Sequence, residues 1–214
     1  MEIVVDPGVQ AFSEWYDYAL VGCVIDFSTL TKLRRILKLI SPYKIDVKYV
    51  GGFHVILLFG NNFEKQRFFE SKKEWAEVFC QLQDWKGQDC QVERIIWLKL
   101  HGVPVMLSNV QVFDAIAGRF GDVIQSAQFT ENNTDLSFAV CGVLCKSVER
   151  IQQTVALRWK DKVFHVRVEE EAGDWIPDCL VELDEVGDEM VTNNVMDIGG
   201  SEGNTSDVIR DEQI

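Results

Sequence analysis

The run IIWLKLHGVP (95–104), at the head of residues 94–168, decides the fold. Its alternation reads as an extended strand, and Gly102-Val103-Pro104 reads as the turn that ends it. Ser108 or Asn109 then caps a helix that buries Val112, Phe113, Ile116, Ala117 and Phe120, with Gly121 as C-cap. Residues 122–129 form the next strand, 130–135 a polar turn and 136–145 a third strand. Ser147 caps a short helix holding Val148, Ile151 and Val155. The last strand, 158–168, places Phe164, Val166 and Val168 on one face and Val163, His165 and Arg167 on the other. The order β-α-β-β-α-β is the split arrangement of ferredoxin-like domains.

Working outward, the N-terminal half shows most of the same order. Residues 19–27 form a strand, and Ser28 caps a helix carrying Leu30, Leu33, Leu37 and Ile40 until Ser41-Pro42 ends it. Residues 47–50 and 53–59 are strands joined through Gly51-Gly52. A longer helix after Asn61-Asn62 carries Phe63, Phe68, Trp75, Val78, Phe79 and Leu82. Residues 84–90 are a polar connection, and 90–94 add an edge strand to the first sheet. Trp15, Tyr16 and Tyr18 pack on this module, while the GDWIPD segment (173–178) forms an apolar clip that docks on a module. The expected fold class is therefore α+β. It comprises two tandem ferredoxin-like (RNA-recognition-motif-like) βαββαβ modules, 17–92 and 93–182, and an acidic tail, 183–214. The tail is expected to be disordered, because it has too little apolar surface to offset its ordering entropy.

The formal net charge of −13 is unevenly spread. Residues 1–168 carry 20 Lys and Arg against 19 Asp and Glu, whereas 169–214 carry Arg210 against 15 acids. This argues against a strongly basic grip on nucleic acid, whose non-specific affinity comes from neutralised phosphates, and leaves room for a local basic patch. The tail reads either as a solubilising linker or as a competitor for a basic surface. Cys23, Cys80, Cys90, Cys141, Cys145 and Cys179 lack framework spacing and read as buried free thiols of a reducing compartment. No basic-then-apolar segment opens the sequence, and the apolar runs are strand-sized, so neither export nor membrane insertion is expected.

Several motifs carry a family resemblance: LVG at 20–22, YVGGFHVILLF at 49–59, ERIIWLKLHGVPVMLSN at 93–109, IAGRFGDV at 116–123, and KVFHVRVEE through WIPD at 162–178. With them the chain resembles a plant-specific domain of unknown function found in retrotransposon-derived proteins, near a reverse transcriptase or a CCHC zinc knuckle. It also resembles the related region that follows an RNA-recognition-motif domain in some plant proteins. The resemblance implies association with nucleic acid and no known activity. The sequence departs from those relatives in having no Cys-x2-Cys pair and a third strand, SFAVCGV (137–143), without basic residues.

The candidate nucleic-acid-binding residues are Trp97, Lys99, His101, His165 and Arg167 on the outward face of the second sheet, with Phe53 as the usable ring of the first module. Neither central strand shows the paired stacking aromatics of the standard RNA-recognition motif. Exposure of the Trp97, Lys99, His101 and Arg167 cluster favours a single-stranded RNA or DNA partner. The same residues packed against the first module favour a protein-interaction module that never touches nucleic acid. Lys32, Arg34, Arg35 and Lys38, or Lys65, Arg67, Lys72 and Lys73, read as solvated helix faces with phosphate contact as the alternative.

Cys141 and Cys145 are four apart on a strand, roughly 13 Å between Cα atoms, too far for two tetrahedral zinc ligands. His54, His101 and His165 have no third ligand. The sequence holds no phosphate loop ending in Lys-Ser or Lys-Thr and no Gly-x-Ser-x-Gly elbow, and Asp6, Asp17 and Asp26 are scattered. The expectation is a non-catalytic protein with no cofactor and no metal, of mobile-element ancestry, in the nucleus or cytoplasm, binding nucleic acid or, alternatively, a protein partner.

Overall fold

Small and apolar residues in ALVGCV make β1 (Ala19–Val24), one of the two inner strands of the first sheet. The computed structural model describes residues 2–6, 8–88, 93–130, 132–173, 175 and 177. Cys90, Cys179, the start of the expected 90–94 strand and the acidic tail lie outside them. The chain divides into Met1–Glu182 and Leu183–Ile214. Among the described residues the protein is α+β, with two antiparallel sheets and few helices, and no helix is long and apolar enough to cross a membrane.

The first sheet has the order β2-β3-β1-β4, with β2 (Asp46–Gly51), β3 (His54–Leu58) and β4 (Phe79–Asp84). Helices α1 (Phe27–Thr31) and α2 (Leu33–Ile40) follow β1. The cap is Asp26 rather than Ser28: its carboxylate accepts the Thr29 N–H at 2.7 Å, which the hydroxyl of Ser28, already inside the helix, does not do. Asn61 caps α3 (Asn62–Glu70) by accepting the Glu64 N–H at 3.0 Å. The short α4 (Lys72–Trp75) follows. The expected helix does not run on to Leu82. Phe79 and Leu82, both buried, belong to β4, and a register slip against β1 leaves two residues between them on the inner side. Phe63, expected inside, is exposed, with Arg67 5.9 Å over its ring.

The second sheet has the order β6-β7-β5-β9-β8. It comprises β5 (Arg94–His101), β6 (Asp122–Gln125), β7 (Phe138–Cys145), β8 (Gln152–Trp159) and β9 (Lys162–Glu170). The helix α5 (Val110–Ala117) is capped by Asn109, which accepts the Val112 N–H at 3.1 Å, and it ends at Gly118. Gly121 is not the cap; it lies against the Leu144 carbonyl, where a Cβ would collide. The strand expected over 122–129 stops at Gln125.

The larger correction concerns 147–168. No helix forms at Ser147–Val155, and the expected single strand at 158–168 is a hairpin. The Arg94 guanidinium donates to the carbonyls of Ser147 and Glu149 and to the Glu170 carboxylate, and Glu170 also accepts the Ile151 N–H. These bonds hold 147–151 as an irregular loop. Gln152 to Trp159 then alternates, with Val155 and Leu157 inward, and pairs along its whole length with β9.

Two cores result. One gathers Leu20, Val24, Leu33, Leu57, Phe79 and their neighbours, and it includes Ile95 and Leu144 from the second sheet. The other packs Phe113, Ile116 and Ala117 of α5 on Leu98, Leu100, Cys141, Val143, Val166 and Val168. Cys141 and Cys145 are thus core thiols, with burial pushing Cys141 up to about 11. Cys80, expected to be buried, is exposed.

Candidate nucleic-acid interface

Alternation along β5 turns Ile96, Leu98 and Leu100 toward α5 and leaves Ile95, Trp97, Lys99 and His101 on the outward face. Register fixes their neighbours. Trp97 lies opposite Gly142, Lys99 opposite Val140 and Glu169, and His101 opposite Phe138 and Arg167. The strand-by-strand alternation places His165 on the same face, one diagonal step from His101. Four of the five residues proposed for this face are therefore brought together around β5 and β9, and Trp97 stands at its other end.

That other end is taken up by the first half of the molecule. The Trp97 indole is half-buried, edge-on to Phe27 with ring centroids 6.0 Å apart. It spreads over Gly142, whose missing side chain makes room: a Cβ there would come within 3.0 Å of the ring. Trp175 joins the same contact, 5.2 Å from Phe27 and 6.5 Å from Tyr49, so this residue of the expected clip packs on the first half. Phe53 is not part of the cluster. It packs on the first core while its carbonyl accepts the Val24 N–H at 2.9 Å.

The basic side chains at the open end have acidic partners. Lys99 Nζ is 2.8 Å from Glu171 Oε1, His101 Nε2 is 3.0 Å from Glu169 Oε1, and Arg167 Nε is 3.4 Å from Glu169 Oε2. Phe138 lies between the first two, 5.3 Å from Lys99 Nζ and 5.5 Å from the His101 ring. Lys65, a candidate phosphate contact, is buried and paired with Asp84 at 2.9 Å. A shallow depression lined by Phe69, Gln83, Asp84, Lys86 and Gln88 lies nearby and holds no nucleophile beside a base.

Further basic charge lies where the single-strand expectation hid a hairpin. Between Arg158 and Arg167 there are four basic residues and one acid, Asp161. Arg158, Lys160, Lys162, His165 and Arg167 are all exposed, and Lys160 Nζ lies 4.2 Å from the Trp159 ring centroid. Arg158 pairs with Val163 and Ala156 with His165, so Arg158 shares the outward face with His165 and Arg167. The sequence signal was present: Trp-Lys-Asp-Lys between two alternating runs is turn chemistry. The acids were also legible, since the alternation of 163–167 continues through Glu169 and Glu171.

Among the described residues no three His, Cys, Asp or Glu side chains are grouped to hold a metal ion. Compared with known proteins, the chain matches no family model and no curated protein.

Proposed function

We propose that this chain is a non-catalytic protein that binds single-stranded nucleic acid, RNA first, along the β8–β9 hairpin. The observation that carries the reading is the strip of exposed basic residues around the β8–β9 turn: Arg158 and Arg167 on the outward face, Lys162 paired with Trp159 on the opposite face, and Lys160 at the turn against the Trp159 ring. Such a strip contacts phosphates, while an amphipathic ring offers a stacking surface. The Trp97 end contributes position rather than stacking, because it holds the two halves together. The reading also takes both halves as ferredoxin-like. The first sheet has the strand order of that fold, and the second has it with β8 added where the second helix would stand. Mobile-element ancestry and a nuclear or cytoplasmic site belong to the same proposal and rest on the resemblance of the sequence.

The test is fluorescence anisotropy of labelled single-stranded RNA and DNA against the full chain across a salt series. Binding in the micromolar range, with log K falling by about 0.7 per phosphate contact as log salt rises, is expected. Replacing Arg158, Lys160 and Lys162 together by alanine lowers the affinity at least about tenfold and flattens the salt slope. Absence of binding at low salt sinks the proposal. The runner-up, a protein-interaction module, is favoured by one observation: Trp97 packs on Phe27, so the face expected to stack bases is partly an internal seam.

A further inference from the structure

Cys23 and Cys80 meet where β1 and β4 slip register. Cys23 pairs with Gln81 and Val24 with Phe79, which makes Cys80 the extra residue of a bulge. The bulge turns the Cys80 thiol toward β1, and it donates to the Cys23 carbonyl at 3.3 Å. Both thiols are free, Cys80 exposed and Cys23 half-buried. Burial, followed by a hydrogen bond with Cys80 and the nearby charges of Cys80 and Glu93, pushes the Cys23 thiol up to about 12. On the other side of β1, Cys23 is directly opposite His54. His54 Nδ1 is buried without a hydrogen bond, 3.9 Å from Glu93 Oε2.

We propose that Cys23 and Cys80 form a redox-active dithiol, which hydrogen peroxide converts into an intramolecular disulfide fastening β1 to β4. Exposure assigns the order. Cys80, as thiolate, attacks the peroxide: an S–O bond forms, the O–O bond breaks, and the departing hydroxide leaves as water with the proton the thiol released. The Cys23 sulfur then attacks the Cys80 sulfenic sulfur. The S–S bond forms, the S–O bond breaks, and hydroxide leaves as a second water with the Cys23 proton. Two thiols give up two electrons, and the peroxide takes both. Because Cys23 holds its proton firmly, the second step is the slower one, and the Cys80 sulfenic acid accumulates before the disulfide.

The experiment treats the full chain with hydrogen peroxide, blocks residual thiols and maps a non-reduced digest by mass spectrometry. The expected result is a peptide pair joining Cys23 to Cys80, about two mass units lighter than the sum of the two thiol peptides and split by reductant. Cys23→Ser abolishes the link and raises dimedone labelling of Cys80 several-fold, whereas Cys80→Ser leaves residue 23 as thiol. Circular dichroism of both variants checks that the fold is intact. The proposal is overturned if wild-type Cys80 advances to sulfinic acid, or joins another cysteine, while Cys23 stays reduced. It is equally overturned if neither thiol reacts while the chain is folded.

Discussion

Arg94 holds three pieces of the second half through one guanidinium: the 147–151 loop, the end of β9 and the start of β5. Its partner Glu170 is mostly enclosed, so removing the cation leaves a carboxylate and two carbonyls short of partners. Arg94→Ala is expected to cost about 2–4 kcal/mol by urea denaturation at neutral pH. The same pair makes stability depend on pH. Burial pushes the Glu170 carboxyl up, but bonds from Arg94 and the Ile151 amide outweigh it and hold the group below its ordinary 4.5. A carboxylate depressed on folding contributes fully above the ordinary value, and the contribution fades as pH falls through the lowered one. The wild type therefore loses urea resistance below about pH 4.5, and Arg94→Ala loses less across that window. Parallel curves for the two proteins contradict the assignment. Gly22 makes a second residue-scale case: a Cβ there would meet the buried Phe79 ring at 2.8 Å. Gly22→Ala is expected to destabilise by about 1–3 kcal/mol through overpacking, read as a lower urea midpoint.

At the scale of elements, β8 is an edge strand, hydrogen-bonded to β9 on one side only. Hydrogen exchange is expected to show alternate amides protected between Gln152 and Trp159, with those between exchanging at near open-chain rates. A helix there would protect consecutive amides. The sequence misled at this point because Val148, Ile151 and Val155 have helical spacing, and nothing local shows that Arg94, more than fifty residues away, holds 147–151 in an irregular loop. Phe79 and Leu82 misled for another reason: the bulge at Cys80 gives a strand a three-residue interval between buried positions. Where no bulge or distant clamp intervenes, periodicity was sufficient. β5, α5 with its Asn109 cap, β7 and the two faces of β9 are all legible in 94–168. Of the candidate site, the outward face with Trp97, Lys99, His101, His165 and Arg167 was legible, whereas the hairpin tip with Lys160 and Lys162 was not, because the single-strand reading ran through it. The Phe27–Trp97 seam was not, because packing between halves leaves no local pattern.

At the scale of the whole molecule, Ile95 and Leu144 of the second sheet complete the core of the first half. The two halves are thus expected to unfold together. Phe27→Ala removes the ring that meets both Trp97 and Trp175, and it should lower stability by about 2–4 kcal/mol while the transition stays single. Tryptophan fluorescence and far-UV circular dichroism then trace the same curve, and separate midpoints contradict the shared core. Leu183–Ile214 carries nine acids against Arg210. Ending the chain at Glu182 is expected to tighten RNA binding at low salt and to change little at high salt. The central claim is that nucleic acid meets the β8–β9 hairpin, and a titration of the isotope-labelled chain with a short single-stranded RNA, followed residue by residue by NMR, tests it most directly. The account predicts shifts concentrated between Arg158 and Arg167, with the Trp159 indole among them, and none at Phe53. Shifts confined to other strands, or none at low salt, contradict it.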